Sequence, residues 1–127
     1  MPHPGLVFQL TSEGGNHFWV VISPVVDGLV LAVNITGFRN CPDSPCAFEA
    51  GAHDVITKRS VAFYRKAREF EACKIDQFLE AGQYLRRLQD FPPELLHRLV
   101  DGANKADDLT FRFRKYLLVA GDAGPPG

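Results

Sequence analysis

A chain of 127 residues and 14.1 kDa has room for one domain and can fold without disulfide staples. Its 46% hydrophobic and 23% charged residues argue against a disordered, fibrous or membrane-embedded chain, and a net charge of −1 with a pI near 6.4 argues against a protein that coats nucleic acid through its overall charge. Any polyanion site must therefore be local. Ten Phe against one Trp and one Met point to a core of rings and β-branched side chains, which suits a sheet. No basic-plus-apolar leader opens the chain, and its longest apolar run, residues 18–22, is far too short to cross a bilayer, so the expected location is the cytoplasm. Cys41, Cys46 and Cys73 form an odd set that fits reduced thiols better than a disulfide framework, with Cys41 and Cys46 close enough in sequence to pair on oxidation.

In chain order, residues 5–10 read as a first strand, ended by the turn formers of 11–16. Residues 17–22 and 29–35 read as neighbouring antiparallel strands joined through Ser23-Pro24 and the turn pair Asp27-Gly28. Both are apolar at nearly every position, so each is expected to be buried on two faces, as in a small sheet curled into a barrel. Residues 38–45 carry Pro42 and Pro45 and read as surface loop, 46–49 as a short strand, and 51–59 as a connector. Residues 60–70 are compatible with strand or helix. Ile75, Phe78, Leu79, Leu85 and Leu88 recur at helical spacings, with Gly82 as an interruption costing roughly 1 kcal/mol relative to Ala. Pro92-Pro93-Glu94 opens a helix whose apolar face is Leu95, Leu96, Leu99, Val100 and Ala103. Residues 107–110 separate it from 111–119, strand or helix, and 121–127 form a Gly/Pro tail expected to fray. Strands followed by helices make the fold class α+β, with a single domain over residues 1–120.

Three segments carry a family resemblance. Thr11-Ser-Glu-Gly-Gly-Asn-His-Phe-Trp-Val-Val-Ile-Ser23 is a Gly-rich loop running into an apolar strand, and Leu29-Val-Leu-Ala-Val-Asn-Ile-Thr-Gly37 is a strand ending in Thr-Gly. Ile56-Thr-Lys-Arg-Ser-Val61 is a connector carrying a Ser before a further main strand. In this order they resemble the MazF/PemK-like toxins of bacterial toxin–antitoxin systems, over the chain up to about residue 75. The resemblance implies a small SH3-like β-barrel packed with C-terminal helices. It further implies a metal-independent endoribonuclease acting on single-stranded RNA without a cofactor, a homodimer with RNA along the joint, and a small acidic antitoxin that blocks it. That family cuts with an Arg at the head of the first apolar strand and a Thr or Ser after the second. Thr36 matches the hydroxyl, whereas Phe18 stands at the Arg position with His17 as its polar neighbour.

Cleaving RNA through its 2′-hydroxyl needs a base for that proton, an acid for the leaving oxygen and a donor for the charged phosphorane. His17, titrating near neutrality, can supply acid or base, and Thr36 can donate to a phosphate oxygen. The alternative is a His that packs on Trp19 or bonds a loop carbonyl. His53 lies seven residues before Ser60 and eleven before Tyr64, within reach of a hydroxyl, although a hydrogen bond that fixes its own loop is the favoured reading, since a His–Ser pair alone does not make a nucleophile. His3 and His97 look peripheral.

From Lys58 to Arg68 the chain holds five cations, Lys58, Arg59, Arg65, Lys66 and Arg68, and no acid. Interleaved with Ser60, Phe63 and Tyr64, they suit a site that holds phosphates and stacks a base, against the simpler alternative of a solvated charged face. The segment 111–116 alternates rings and cations in the same way. Cys41, Cys46, Cys73 and His53 lack the paired spacing of a structural zinc site, so no metal is expected. Two other readings remain beside the toxin: a non-catalytic barrel that binds protein or nucleic acid, and an accessory protein of a mobile element with no site.

Overall fold

The computed structural model describes residues 2–11, 18–86 and 89–117. Six strands form one antiparallel sheet: β1 (Val7–Leu10), β2 (Phe18–Val21), β3 (Leu29–Gly37), β4 (Ala47–Phe48), β5 (Ser60–Glu71) and β6 (Tyr84–Arg86). Helix α1 (Ala72–Glu80) follows β5 directly, and α2 (Pro93–Lys105) follows β6. The class is α+β, as the order of patterns implied.

The β2–β3 hairpin closes where Asp-Gly was read as a turn. Asp27 and Gly28 have φ of 52° and 78°, and Val26 and Leu29 exchange backbone hydrogen bonds of 2.7 and 3.0 Å around them. Two successive positive φ values match the right-handed twist of the flanking strands. Gly82 likewise proves to be a stop. With φ of 78° it lets Gly82 N–H donate to Leu79 O and Gln83 N–H to Phe78 O, the paired bonds of a Schellman cap. The helical periodicity of residues 75–88 therefore breaks at Gly82, and Tyr84–Arg86 turn back to pair with β1. Helix α2 starts at Pro93, with Glu94 in its first turn and Lys105 in its last, both favourable to the helix dipole. Residues 111–117 are a 3-10 turn running into helix, which decides the strand-or-helix question for their described part.

Strand order is β4-β5-β3-β2-β1-β6, so the sheet ends at β4 and β6 and does not close into the barrel expected from the sequence. Burial of β2 and β3 on two faces has another cause. One face packs Val20, Leu31, Val33 and Tyr64 against Leu95, Leu99 and Ala103 of α2 and against Phe113 and Tyr116. The other packs Phe8, Trp19, Val21 and Phe70 against Ile75 and Leu79 of α1 and Tyr84 of β6. Arg98 of α2 donates to Ala47 O and lies over the Phe48 ring at 4.7 Å, tying the helix to the β4 edge. No described helix is long and apolar enough to cross a membrane.

β5 carries the main irregularity. Leu29–Ala32 pair with Glu71–Arg68, after which Asn34 pairs with Phe63. Between those pairs β3 advances from Ala32 to Asn34 while β5 advances from Arg68 to Phe63, so β5 holds three extra residues there. A bulge of this kind bends the strand and re-aims its side chains.

Candidate nucleic-acid interface

Paired residues of an antiparallel ladder project from the same face. The register gives three rows on one face: Val21–Ala32–Arg68, Trp19–Asn34–Phe63, and Thr36–Val61. Ala32, Asn34 and Thr36 thus run along β3 on the face where the β5 cations emerge. The Arg68 guanidinium lies 5.3 Å from the Trp19 ring centroid and 4.6 Å from that of Phe70. Because of the bulge, the consecutive residues Arg65 and Lys66 both reach back over Phe63, at 5.2 and 5.6 Å. Strict alternation would have sent them to opposite faces. Both are exposed, and neither has a carboxylate partner among the described residues. Rings beneath them hold the cationic groups without neutralising them.

At the other end of the row, Thr36 is only 7% exposed and its Oγ1 accepts a 2.7 Å hydrogen bond from Asn40 Nδ2, which leaves its own O–H free to turn. Arg59 lies over Phe38 at 4.0 Å and faces Glu49 at 3.4 Å, and Lys58 packs beside Gly37. His17 lies outside the described residues; Phe18, next to it in sequence, pairs with Ile35, one step from Thr36.

Other residues named from the sequence have structural roles. Tyr64, expected to stack a base, is 2% exposed on the opposite face, where its hydroxyl donates to Leu99 O at 2.7 Å. The correction follows from strand geometry, since Phe63 and Tyr64 are adjacent and only one can face the cations. Ser60 is buried and donates to Lys58 O at 2.8 Å, closing a local turn. His53 is buried away from Ser60 and Tyr64: its Nε2 lies 3.0 and 3.2 Å from the Gln89 and Asp90 carbonyls, its Nδ1 accepts from Val55 N–H, and its ring packs on Phe91. It fixes the loop. Burial pushes the Tyr64 phenol and the Cys46 thiol above their ordinary values, further from any acid–base role near neutrality. No group of three metal-ligating side chains occurs among the described residues.

A concavity of about 300 Å³ lies at the C-terminal end of α2, lined by Cys41, Asp43, Asp107 and Asp108. Three carboxylates against the one cation of Lys105 make this pocket less favourable to a phosphate than the β5 row. No known family, curated protein or solved structure matches the chain. The functional reading therefore stands on the chemistry of the site. Sequence reasoning missed Trp19 under Arg68, the Asn40 bond to Thr36, and the rings of Phe70, Phe78 and Tyr84 beyond Arg68. Of the last group the sequence singles out only Phe78, as part of the helical spacing of residues 75–88.

Proposed function

We propose that this chain binds single-stranded RNA along β5, with Arg65, Lys66 and Arg68 as the contact row. The observation that carries the reading is the β5 bulge, which sets Arg65 and Lys66 over Phe63 beside Arg68 over Trp19 and Phe70. Guanidinium groups held over rings can stack unpaired bases while their N–H groups bind phosphates, a combination that a duplex, with its bases already stacked, uses poorly. The bent β3–β5 ladder also supports reading the sheet as an opened relative of an SH3-like barrel. Fluorescence anisotropy with a labelled ten-nucleotide RNA tests the proposal. The paired charge reversal Arg65→Glu/Lys66→Glu is expected to weaken binding about tenfold or more at low salt. Unchanged affinity would overturn it.

Thr36 favours a second reading, the toxin-type endoribonuclease. Thr36 shares the face of the contact row, one step from the Phe18–Ile35 pair. Here His17 takes the 2′-hydroxyl proton as the 2′-oxygen attacks phosphorus and then gives it to the departing 5′-oxygen, leaving a 2′,3′-cyclic phosphate and a 5′-hydroxyl, while Thr36 donates to a non-bridging oxygen. The acidic antitoxin and the two-fold dimer belong to this version alone. Against it stand Phe18 at the Arg position and the burial of Thr36, both of which favour the non-catalytic module. Induction in a bacterial host separates them: growth arrest and cut RNA that His17→Ala and Thr36→Ala abolish support cleavage, and equal harmlessness of all three proteins excludes it.

A further inference from the structure

Beyond Arg68 the contact row runs into a second concavity of about 200 Å³ between β5, α1 and β6. We propose that this pocket is a nucleobase subsite, taking one base of the strand whose backbone follows β5; the inference rests on the RNA-binding reading. Phe70, Phe78 and Tyr84 line it and form one ring cluster, with Tyr84 edge-on to Phe78 at 5.0 Å and to Phe70 at 6.4 Å. Tyr84 is itself stacked on Phe8 at 5.4 Å, which anchors the wall to the core. Phe70 is buried, whereas Phe78 and Tyr84 are half-buried and keep surface for a ligand.

The ring walls decide what enters. Arg68, Lys74, Glu69 and Glu71 border the pocket, with the Glu69 carboxylate turned to the opposite face of the sheet, toward Tyr116 and Arg112. Lys74 lies 3.2 Å from Glu71, and Glu69 accepts the Tyr116 hydroxyl at 2.5 Å. A planar base finds ring walls there, with Arg68 at the rim and Arg65 and Lys66 beyond it for the phosphates of the backbone. The volume lies below the roughly 300–1,000 Å³ of pockets that hold whole small molecules, which suits one base.

Trp19 is the chain's single Trp, 5.4 Å from the Phe70 ring and 5.3 Å from the Arg68 guanidinium, so its emission reports occupancy. The full chain is titrated with a ten-nucleotide oligouridylate, with the same oligomer lacking its bases, and with uridine monophosphate. The base-bearing oligomer is expected to change Trp19 emission and to bind about tenfold tighter than the abasic one. Phe78→Ala is expected to erase that advantage while leaving abasic affinity unchanged, which also shows that the variant is folded. Equal affinity for both oligomers, each weakened by Arg65→Glu/Lys66→Glu, would overturn the subsite and leave the RNA-binding reading standing. Uridine monophosphate binding more tightly than the oligomer would overturn assignment to a strand. Failure of every oligomer to bind would overturn the RNA reading and the subsite with it.

Discussion

Replacing Gly102 by Ala tests the packing of α2 on the sheet through the sign of its effect. In an exposed helix interior this change stabilises by roughly 1 kcal/mol, because Gly loses more backbone entropy on folding. At Gly102 a Cβ would stand 2.9 Å from Cys46 Cβ and 3.2 Å from Tyr64 Cζ, and would overlap the Tyr64 hydroxyl. Neither neighbour can swing aside: Cys46 and Tyr64 are 3% and 2% exposed, and the hydroxyl is bonded to Leu99 O at 2.7 Å. Overpacking of this kind costs about 1–3 kcal/mol, and displacing the hydroxyl loses a buried hydrogen bond worth about 1 kcal/mol more. Set against the helix gain, the net expectation is a loss of about 1–3 kcal/mol. Urea denaturation should show a lower midpoint with an unchanged slope. In a Tyr64→Phe background, which removes the closest contact, Gly102→Ala should cost about 1 kcal/mol less. A Gly102→Ala protein at least as stable as its parent would refute the packing.

Other outcomes follow from the same contacts. His53→Ala should cost about 3 kcal/mol in urea, since it strips buried partners from carbonyls and leaves a gap against Phe91, yet leave RNA affinity unchanged; an affinity loss at constant stability would restore His53 to the site. The Tyr64 phenol and Cys46 thiol are raised above ordinary values of 10.0 and 9.0 mainly by burial, and the Tyr116 phenol by burial and its bond to Glu69. Raised values in the folded state mean that the unfolded chain gives up these protons first, so their stabilisation is complete below pH 9.0 and declines above it. A pH series of denaturation curves should show that decline, flattened in Tyr64→Phe. Native alkylation followed by mass spectrometry should label exposed Cys73 and half-buried Cys41, and reach buried Cys46 only after unfolding.

How far these features were legible in the sequence depended on whether local chemistry decided them. Asp27-Gly28 specifies a hairpin turn and Pro92-Pro93 a helix start, so β2, β3 and α2 could be read directly. Residues 60–70 could not, because three extra residues break the period-2 pattern that identifies a strand, and only the pairing with β3 reveals why. The same bulge hid which ring lies under the cations: Tyr64 was chosen with Phe63, and Tyr64 faces α2. Leu85 and Leu88 continued a helical spacing past Gly82 although Leu85 is in β6, 47% exposed, and pairs with Gln9. The cationic segment was plain in the sequence; the gathering of Arg65, Lys66 and Arg68 above Trp19, Phe63 and Phe70, away from Lys58 and Arg59, is a tertiary fact. Barrel closure was inferred from two-sided burial, which α1 and α2 supply instead.

The most direct measurement of the RNA-binding claim is the salt dependence of affinity for a single-stranded RNA oligomer. Three cations contacting phosphates predict a log–log slope of about −2, and Arg65→Glu/Lys66→Glu should reduce its magnitude by about 1.4. A slope that the double charge reversal leaves unchanged would contradict the assignment of β5 as the contact row.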